Sequence, residues 1–259
     1  MLDRSPFPYY NNMNMKNALR FSGRLQGERQ YMIGIIVAMK AEAAEIKAAM
    51  TDKQTRTQSG VEFVSGRFCG KDVVVAQSGV GKVFAAVCAQ TMILTYHPTY
   101  IINTGVGGTL TPSLSIGDIA IASDVVQHDM DTSAVGDPVG MISGLNIIHI
   151  PADATLAKLA EKAASQQGFP CLKGTVASGD QFVSTAPQKE RIRSLFHAIA
   201  CEMEGAAIGH VCYINSVPFT VLRTISDNAD DSSGMDYSAF LPLAISRSFL
   251  ILSDVIRQL

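Results

Sequence analysis

The chain lacks a surplus of charge of either sign. Its 259 residues include 21 Lys and Arg against 23 Asp and Glu, which gives a formal net charge of −2. Binding to a phosphate backbone needs clustered positive charge, so this balance argues against nucleic acid as a partner. The chain also lacks a run of about 18 consecutive apolar residues, the length that a membrane helix needs. The sequence therefore predicts a protein without a membrane partner.

Cysteine is scarce, and the motifs of several enzyme classes are absent. The five cysteines are an odd number and include no close CxxC pair, which argues against a disulfide framework and predicts reduced thiols in the cytoplasm. The sequence has no HExxH motif and no cluster of Cys and His, so we expect no metal site and no cofactor. It also has no GxSxG serine elbow, which removes the simplest esterase interpretation.

The first thirty residues lack the apolar stretch and small-residue cleavage site of a secretory signal. They predict a flexible N-terminal leader over 1–30. No linker, repeat or low-complexity stretch divides the chain after that point, and a hydrophobic content of 47% is enough to build a large core. We therefore expect a single domain over 31–259.

From residue 31 onward, β-branched apolar runs alternate with Ala-rich segments of helical period. This alternation predicts an α/β fold built from βαβ units, with strands buried on both faces. The predicted strands are 33–38, 73–76, 100–103, 119–122, 175–177, 198–201 and 219–225, with a hairpin arm at 61–68. The predicted helices are 41–50, 82–96, 154–167, 187–195, 205–213 and 237–258.

Ligands of an open α/β sheet gather beyond the carboxyl ends of its strands. Four of the predicted strands are followed by unusual residues: Glu42, the glycine-rich segment 104–108, the pair Glu202 and Glu204, and Asp227. Carboxylates at three strand ends, facing a glycine-rich fourth, suit a polar small molecule bound across the sheet edge.

Each of these features also has a purely structural explanation. Glu42 and Glu204 could each favour the positive end of a helix dipole, and Asp227 could form a cap or an Asx turn. The glycines of 105–108 could serve a tight turn or begin a dinucleotide-binding loop, although Leu110 stands where that loop needs its third glycine. The acidic segment 128–131 is more typical of a solvated loop than of a cation site.

Seven segments, in order along the chain, resemble the nucleoside phosphorylase and nucleosidase superfamily, and most closely the 5'-methylthioadenosine/S-adenosylhomocysteine nucleosidases. They are 33–39 with Glu42, 78–83, 101–105, 116–119, 176–180, 202–204 and 225–227. The resemblance covers the chain from about Met32 to its end. It implies a three-layer α/β/α fold with a mixed, partly barrel-like central sheet. It also implies a homodimer and hydrolysis of the bond between adenine N9 and ribose C1'.

The resemblance implies catalytic roles for three carboxylates. Asp227 matches the general acid that protonates adenine N7, Glu42 matches the residue that activates the attacking water, and Glu204 matches the carboxylate that binds the ribose hydroxyls. Cleavage of an N-ribosyl bond develops positive charge on the ribose and negative charge on the purine. An acid beside the base and anions beside the sugar therefore suit the reaction.

Other implied contacts surround the nucleoside. Phe182 matches the aromatic residue that stacks on adenine, and Val183 matches the residue whose backbone reads the purine edge. Ser226 matches the hydroxyl that places the general acid, and Arg223 matches the residue that orients the activating carboxylate or the water. The remaining residues implied to line the substrate pocket are Val80, Gly107, Glu202, Met203 and Tyr237.

Two departures from the family leave the 5'-group of the substrate open. Many relatives have Ser where this chain has Val106, and the segment 131–144 matches poorly, although Thr132 and Val135 fall where the family reaches the neighbouring subunit's pocket. A nucleosidase acting on 5'-deoxyadenosine or aminodeoxyfutalosine therefore remains an alternative. So do a phosphorolytic nucleoside phosphorylase and a nucleoside-binding protein without catalysis.

Overall fold

A computed structural model describes residues 31–259, and the predicted leader over 1–30 lies outside the described residues. The strands are β1 (Met32–Val37), β2 (Thr51–Gln58), β3 (Val61–Phe68), β4 (Lys71–Gln77), β5 (Tyr100–Thr109), β6 (Ile119–Gln127), β7 (Ile150–Pro151), β8 (Cys171–Ser178), β9 (Ala200–Glu202) and β10 (Phe219–Asp227). The helices are α1 (Lys40–Ala49), α2 (Lys82–Tyr96), α3 (Ala154–Gln167), α4 (Ala186–Phe196), α5 (Gly205–Ile214) and α6 (Ser233–Gln258).

The strands form one mixed sheet that closes on itself at one end. Its order is β10-β6-β8-β9-β5-β1-β4-β3-β2, with β7 paired to β6. A further parallel pairing between β10 and β5 closes β10, β6, β8, β9 and β5 into a five-stranded barrel. Strands β1, β4 and β5 run parallel, whereas β2, β3 and β4 form an antiparallel meander. The predicted mixed and partly barrel-like sheet is confirmed.

Helices cover both faces of the sheet, which gives the three predicted layers. On one face, α1, α3 and α6 bury side chains such as Ile46, Ala160 and Leu252 against the strands. On the other face, α2 and α5 pack through Cys88, Met92 and neighbouring residues. Strands β1 and β10 are buried along nearly their whole length, as strands covered on both faces must be.

Local signals in the sequence explain several helix boundaries. The Asp153 carboxylate accepts hydrogen bonds from the backbone N–H groups of Thr155 and Leu156 and so caps α3. The same helix ends at Gly168 in the left-handed conformation. In α4, Thr185 is the N-cap and a proline occupies the first turn.

Several elements differ from the sequence-based prediction: the short strand β7 was not predicted, β6 and β8 are longer than expected, and α6 begins four residues earlier. Strand β2 was not predicted because its eight residues are polar, and seven of them are exposed; hydrogen bonds to β3, rather than burial, hold it at the sheet edge. Strand β5 continues through the glycine-rich segment to Thr109 instead of ending at 103. The glycines therefore lie within a strand, not in a turn.

Helix α6 is the described helix that is long and apolar enough to cross a membrane by length and composition alone. In the fold it packs against the sheet, where Ile251, Val255 and Ile256 are fully or almost fully buried. Its apolar character is that of a core helix.

Candidate active site

A cavity of about 250 Å³ opens where β1, β5, β9 and β10 end. All twelve residues that the sequence analysis assigned to catalysis or substrate binding line it: Glu42, Val80, Gly107, Phe182, Val183, Glu202, Met203, Glu204, Arg223, Ser226, Asp227 and Tyr237. The structure therefore brings together residues that are up to 195 positions apart in sequence.

Glu42 lies at the start of α1, with its carboxylate turned back toward the end of β1. Oε2 accepts hydrogen bonds from the backbone N–H groups of Met39, at 2.9 Å, and Ala38, at 3.1 Å. Oε1 accepts one from the backbone N–H of Val106 at 3.3 Å. The carboxylate thus occupies the anion-binding donors at the N-terminus of α1.

Gly105 is required for this position of Glu42. A Cβ atom at residue 105 would lie only 2.6 Å from Oε1 of Glu42, so a side chain there would displace the carboxylate. Burial raises the pKa of Glu42, although the three N–H donors and the Arg223 charge act to lower it. Glu42 is therefore a carboxylate with an increased affinity for a proton, the property of a general base.

A buried ion pair forms part of the cavity wall. The Arg223 guanidinium, 2% exposed, pairs with Glu202 and donates a hydrogen bond to the side-chain carbonyl of Asn103 at 2.6 Å. Glu202 also accepts hydrogen bonds from the Ser178 hydroxyl and from the backbone N–H groups of Glu204 and Gly205. Although burial acts to raise it, these donors and Arg223 lower the pKa of Glu202.

Glu204 has fewer partners than Glu202. Its Oε1 accepts a hydrogen bond from the backbone N–H of Gly81 at 2.9 Å, and its Oε2 lies 3.8 Å from the Arg223 guanidinium. Burial and the nearby Glu202 charge raise the pKa of Glu204 to about 7. The carboxyl therefore has one oxygen free of short protein contacts and exchanges its proton near neutral pH.

Asp227 lies at the end of β10 and is 3% exposed. Its Oδ1 accepts a hydrogen bond from the backbone N–H of Ala229, and its Oδ2 accepts one from the Ser226 hydroxyl, both at 2.9 Å. Burial raises the pKa of Asp227 against the effect of these donors. The Asp227 carboxyl fits here because residue 108 is glycine: a Cβ atom on Gly108 would lie 2.7 Å from Oδ1 of Asp227.

The open side of the cavity is aromatic and apolar. The rings of Phe182 and Tyr237 meet edge to face with centroids 5.8 Å apart, and the Tyr237 hydroxyl lies 3.0 Å from Sδ of Met39. Phe182 and Val80 are about half exposed, at 47% and 52%, whereas Val183 is buried. A flat apolar ring could pack against these residues while its polar edge faces the carboxyls.

Several cavity residues were not assigned a site role from the sequence, notably Met39, Gln181 and Cys201. Each is a neighbour of an assigned residue or stands at a strand end, which is the signal that could have found them. Within residues 31–259, no group of three or more His, Cys, Asp and Glu side chains could hold a metal ion.

A family model, described as the phosphorylase superfamily, matches residues 32–257. Two curated relatives are named 5'-methylthioadenosine/S-adenosylhomocysteine nucleosidase. The one from Shewanella loihica is 42% identical over 229 residues, which are 88% of this chain and 99% of the relative. The one from Shewanella sp. (strain W3-18-1) is 41% identical with the same coverage. The chain belongs to this nucleosidase family of the phosphorylase superfamily.

Solved structures agree with the family assignment. The nucleosidase of Neisseria meningitidis, solved in complex with methylthio-immucillin-A, superposes with a TM-score of 0.85 at 30% identity and covers 88% of this chain and 99% of its own. The futalosine hydrolase of Helicobacter pylori superposes with a TM-score of 0.86 at 36% identity and covers 90% and 100%. The predicted family and its α/β fold are confirmed.

Proposed function

We propose that this protein hydrolyses the N-glycosidic bond of 5'-methylthioadenosine and S-adenosylhomocysteine, releasing adenine and the 5'-substituted ribose. The observation that carries the proposal is that three buried carboxyls, Glu42, Glu204 and Asp227, line one cavity with a different set of hydrogen-bond donors around each. The names of the nucleosidase relatives support the same chemistry. No cofactor is part of the proposal.

Asp227 is the general acid. Burial raises its pKa, which favours the protonated carboxyl relative to a free aspartate, and that proton is what N7 of a departing adenine must receive. Because Ser226 and Ala229 fix its two oxygens, Asp227 presents the proton from a constant position. Phe182 stacks on the base, and the backbone of Val183 reads the purine edge. The adenine is therefore held with N7 toward the acid.

Glu42 activates the attacking water. The Nε–H of Arg223 is buried and has no hydrogen-bond partner among the described residues, so it is free to orient a water beside Glu42. Water is favoured over phosphate, because the backbone donors that would bind an anion already hold the Glu42 carboxylate. A second anion at this position would be repelled.

Glu204 binds the ribose hydroxyls, and Met203 packs against the sugar. The free oxygen of Glu204 can accept hydrogen bonds from the ribose, and its negative charge stabilises the positive charge that develops there. Val80, Gly107 and Tyr237 complete the wall toward the 5'-substituent, while Glu202 holds Arg223 and the Glu204 backbone in place.

A second candidate is a nucleosidase for aminodeoxyfutalosine. The similarity to the Helicobacter pylori futalosine hydrolase favours it, since that structure covers 90% of the chain at 36% identity. The same three carboxyls would carry out the same hydrolysis on this substrate. The two candidates differ only in the 5'-substituent that the open side of the cavity accepts.

The test is adenine release from 5'-methylthioadenosine, S-adenosylhomocysteine, 5'-deoxyadenosine and aminodeoxyfutalosine, each with and without phosphate. We expect phosphate-independent release, highest from the first two substrates. Asp227→Asn should abolish it, whereas Asp231→Asn, which removes an exposed carboxylate nearby, should leave it unchanged.

Other results would give other functions. Dependence on phosphate would make the protein a phosphorylase, and fastest release from aminodeoxyfutalosine would favour the second candidate. Tight binding of all four nucleosides with no release would indicate a binding protein.

We propose that residues 31–259 act as one domain and that two copies form a homodimer through α2 in the cytoplasm. Supporting the interface, α2 leaves Val83, Phe84 and Leu94 exposed at 74%, 61% and 64%, an apolar surface that a second copy would cover. Val135 is also exposed, at 82%, and lies in the segment that reaches the neighbouring subunit in the family.

The cytoplasmic location is supported by the cysteines, because all five are free thiols.

The mass in solution tests the dimer. We expect twice the chain mass for the native protein, and Val83→Asp should shift it toward the monomer because a charge would be buried at the interface. Leu195→Asp, on α4, is the matched control for an exposed apolar residue elsewhere. A native monomer would contradict the proposal.

A further inference from the structure

Three residues from separate elements close a ring of hydrogen bonds beside the cavity. The Lys82 ammonium, at the start of α2, lies 2.6 Å from Oδ1 of Asp129, just after β6. Oδ2 of Asp129 accepts a hydrogen bond from the backbone N–H of Asp180 at 2.9 Å. The Asp180 carboxylate in turn accepts one from the backbone N–H of Lys82 at 2.7 Å. The sequence predicted a solvated loop at 128–131, and the structure shows that this expectation was wrong for its first two residues.

The ring is shielded from water. The side chains of Lys82 and Asp129 are each only 18% exposed, and His128, beside them, is 1% exposed. Although burial acts to raise it, the Lys82 ammonium and the Asp180 N–H hold the pKa of Asp129 below its usual value. The Lys82 ammonium also contacts the Gln127 side-chain carbonyl at 3.2 Å. An ion pair with this burial and these extra donors is more persistent than an exposed pair.

Both sides of the nucleoside pocket are attached to this ring. Gly81 directly precedes Lys82, and its backbone N–H donates to the Glu204 carboxylate. Asp180 lies two residues before Phe182 and three before Val183. Gly81 itself has φ +99°, and a Cβ atom there would lie 3.0 Å from Oδ1 of Asp180, so the close contact between the two segments needs glycine.

We propose that Lys82, Asp129 and Asp180 are positioning residues that fix the Glu204 carboxylate and the Phe182–Val183 segment relative to each other. The ring holds the Gly81 N–H against Glu204 on the ribose side and the segment after Asp180 on the adenine side. Binding of the ribose and of the base is thereby coupled through one set of hydrogen bonds outside the cavity. This inference rests on the proposed function for its kinetic consequence.

The ring also sets the proton affinity of Glu204. The groups that face this carboxyl are Glu202, Arg223, Glu42 and the Tyr237 hydroxyl, together with the Gly81 N–H. A hydrogen bond from an N–H favours the ionised carboxylate. When the ring opens and the Gly81 N–H moves away, the pKa of Glu204 rises, and the acid limb of the pH profile of kcat/KM shifts to higher pH.

The test compares Lys82→Met and Asp129→Asn with Lys173→Met, a matched control that removes an exposed lysine paired with Glu161 at 3.0 Å. We expect the two ring variants to lower kcat/KM for adenine release by about 10- to 100-fold and to shift the acid limb to higher pH. The control should do neither. Lys82→Arg, which keeps the ion pair, should restore most of the activity.

Hydrogen–deuterium exchange provides a readout that does not depend on turnover. Peptides covering 79–83 and 178–183 should exchange faster in both ring variants than in the native protein and the control, at an unchanged mass in solution. If the native protein releases no adenine, the proposed function fails, and the positioning role of the ring is then tested by hydrogen–deuterium exchange alone. An unshifted acid limb, or unchanged exchange in both peptides, would overturn the coupling.

Discussion

Glu202 and Glu204 are two residues apart and both buried, yet their pKa values are shifted in opposite directions. Glu202 pairs with Arg223 and accepts hydrogen bonds from Ser178 and two backbone N–H groups, and its pKa is lowered. Glu204 has one backbone donor and lies 3.8 Å from the same guanidinium, and its pKa is raised to about 7. Burial acts on both in the same direction, so the difference comes from the neighbours: the Arg223 charge and three hydrogen-bond donors lower the pKa of Glu202, whereas the Glu202 charge raises that of Glu204.

This difference separates the site into two layers. The paired layer, formed by Asn103, Glu202 and Arg223, has its charges paired and holds the strand ends together. The carboxyls at the surface of the cavity, Glu42, Glu204 and Asp227, are buried with fewer charged partners, and burial raises the pKa of each. Proton transfer needs groups of the second kind, and a fixed geometry needs groups of the first.

Among the substitutions that compare the two layers, Glu42→Gln should produce the largest effect, and it acts on the cavity layer alone. An amide can still accept from the backbone N–H groups but cannot take a proton from water, so turnover should fall about 10²- to 10⁴-fold. Adenine release under saturating substrate measures this, with the melting temperature as a check on folding. Glu45→Gln, an exposed change on the same helix, should leave the rate unchanged. Native turnover by Glu42→Gln would place the base elsewhere.

Glu202→Gln should instead destabilise the paired layer. It leaves the Arg223 charge buried without its anion, and we expect a loss of about 3–5 kcal/mol in the free energy of unfolding near neutral pH. Because the folded-state pKa of Glu202 is lowered, its contribution is present above the usual carboxyl pKa and is lost as the pH falls through the folded-state value. Denaturant unfolding at several pH values measures this. An equal loss at all pH values would contradict the assignment.

The sequence was sufficient to place most of this arrangement. Each cavity carboxyl follows a strand that β-branched residues mark clearly, and parallel strands that end at one sheet edge bring those residues together. The helix boundaries at Gly168 and at the proline of α4 also follow from local signals. The closure of the sheet and the residue roles came from the family resemblance, because periodicity does not specify which strands pair across a barrel.

Other features could not be predicted because they depend on contacts between distant segments. Strand β2 lacks a buried face, so its polar sequence gave no strand signal. The acidic residue Asp129 was assigned to a solvated loop, since a single sequence does not show that Lys82 lies against it. A tight turn and a dinucleotide-binding loop were both open for the glycines of β5, whereas Gly105 and Gly108 lie in a strand and make room for carboxylates from other elements.

Gly105→Ala tests whether the space beside Glu42 is needed. The new Cβ would lie 2.6 Å from Oε1 of Glu42, so the carboxylate must move away from the Val106 N–H. We expect kcat to fall about 10- to 100-fold, the effect of misplacing a catalytic group by about 1 Å. Gly234→Ala, where a Cβ would meet nothing within 4 Å, is the matched control. An unchanged kcat in Gly105→Ala would show that the site tolerates a displaced carboxylate.

Glu204→Gln should increase the free energy of unfolding, whereas Glu202→Gln should decrease it. A folded-state pKa of about 7 means that ionising Glu204 costs stability as the pH rises above the usual carboxyl range. The amide removes that cost, so the variant should be more stable by about 2–4 kcal/mol at pH 8 and by less than about 1 kcal/mol at pH 5, while losing activity. Thermal unfolding at the two pH values measures it. Lower stability at pH 8 would make Glu204 part of the paired layer.

Val106→Ser should have the smallest effect, because it changes a wall of the cavity without touching a charge. Val106 lines the cavity, and its backbone N–H already donates to Glu42. A hydroxyl at this position adds one neutral hydrogen bond near the ribose and the water, worth about 0.5–1.5 kcal/mol, so kcat/KM should rise by up to about tenfold. Val106→Ala, which differs from the Ser variant only by lacking the hydroxyl oxygen, should leave kcat/KM near the native value. If both variants change kcat/KM equally, the effect comes from the space at residue 106 and not from a hydrogen bond of the hydroxyl.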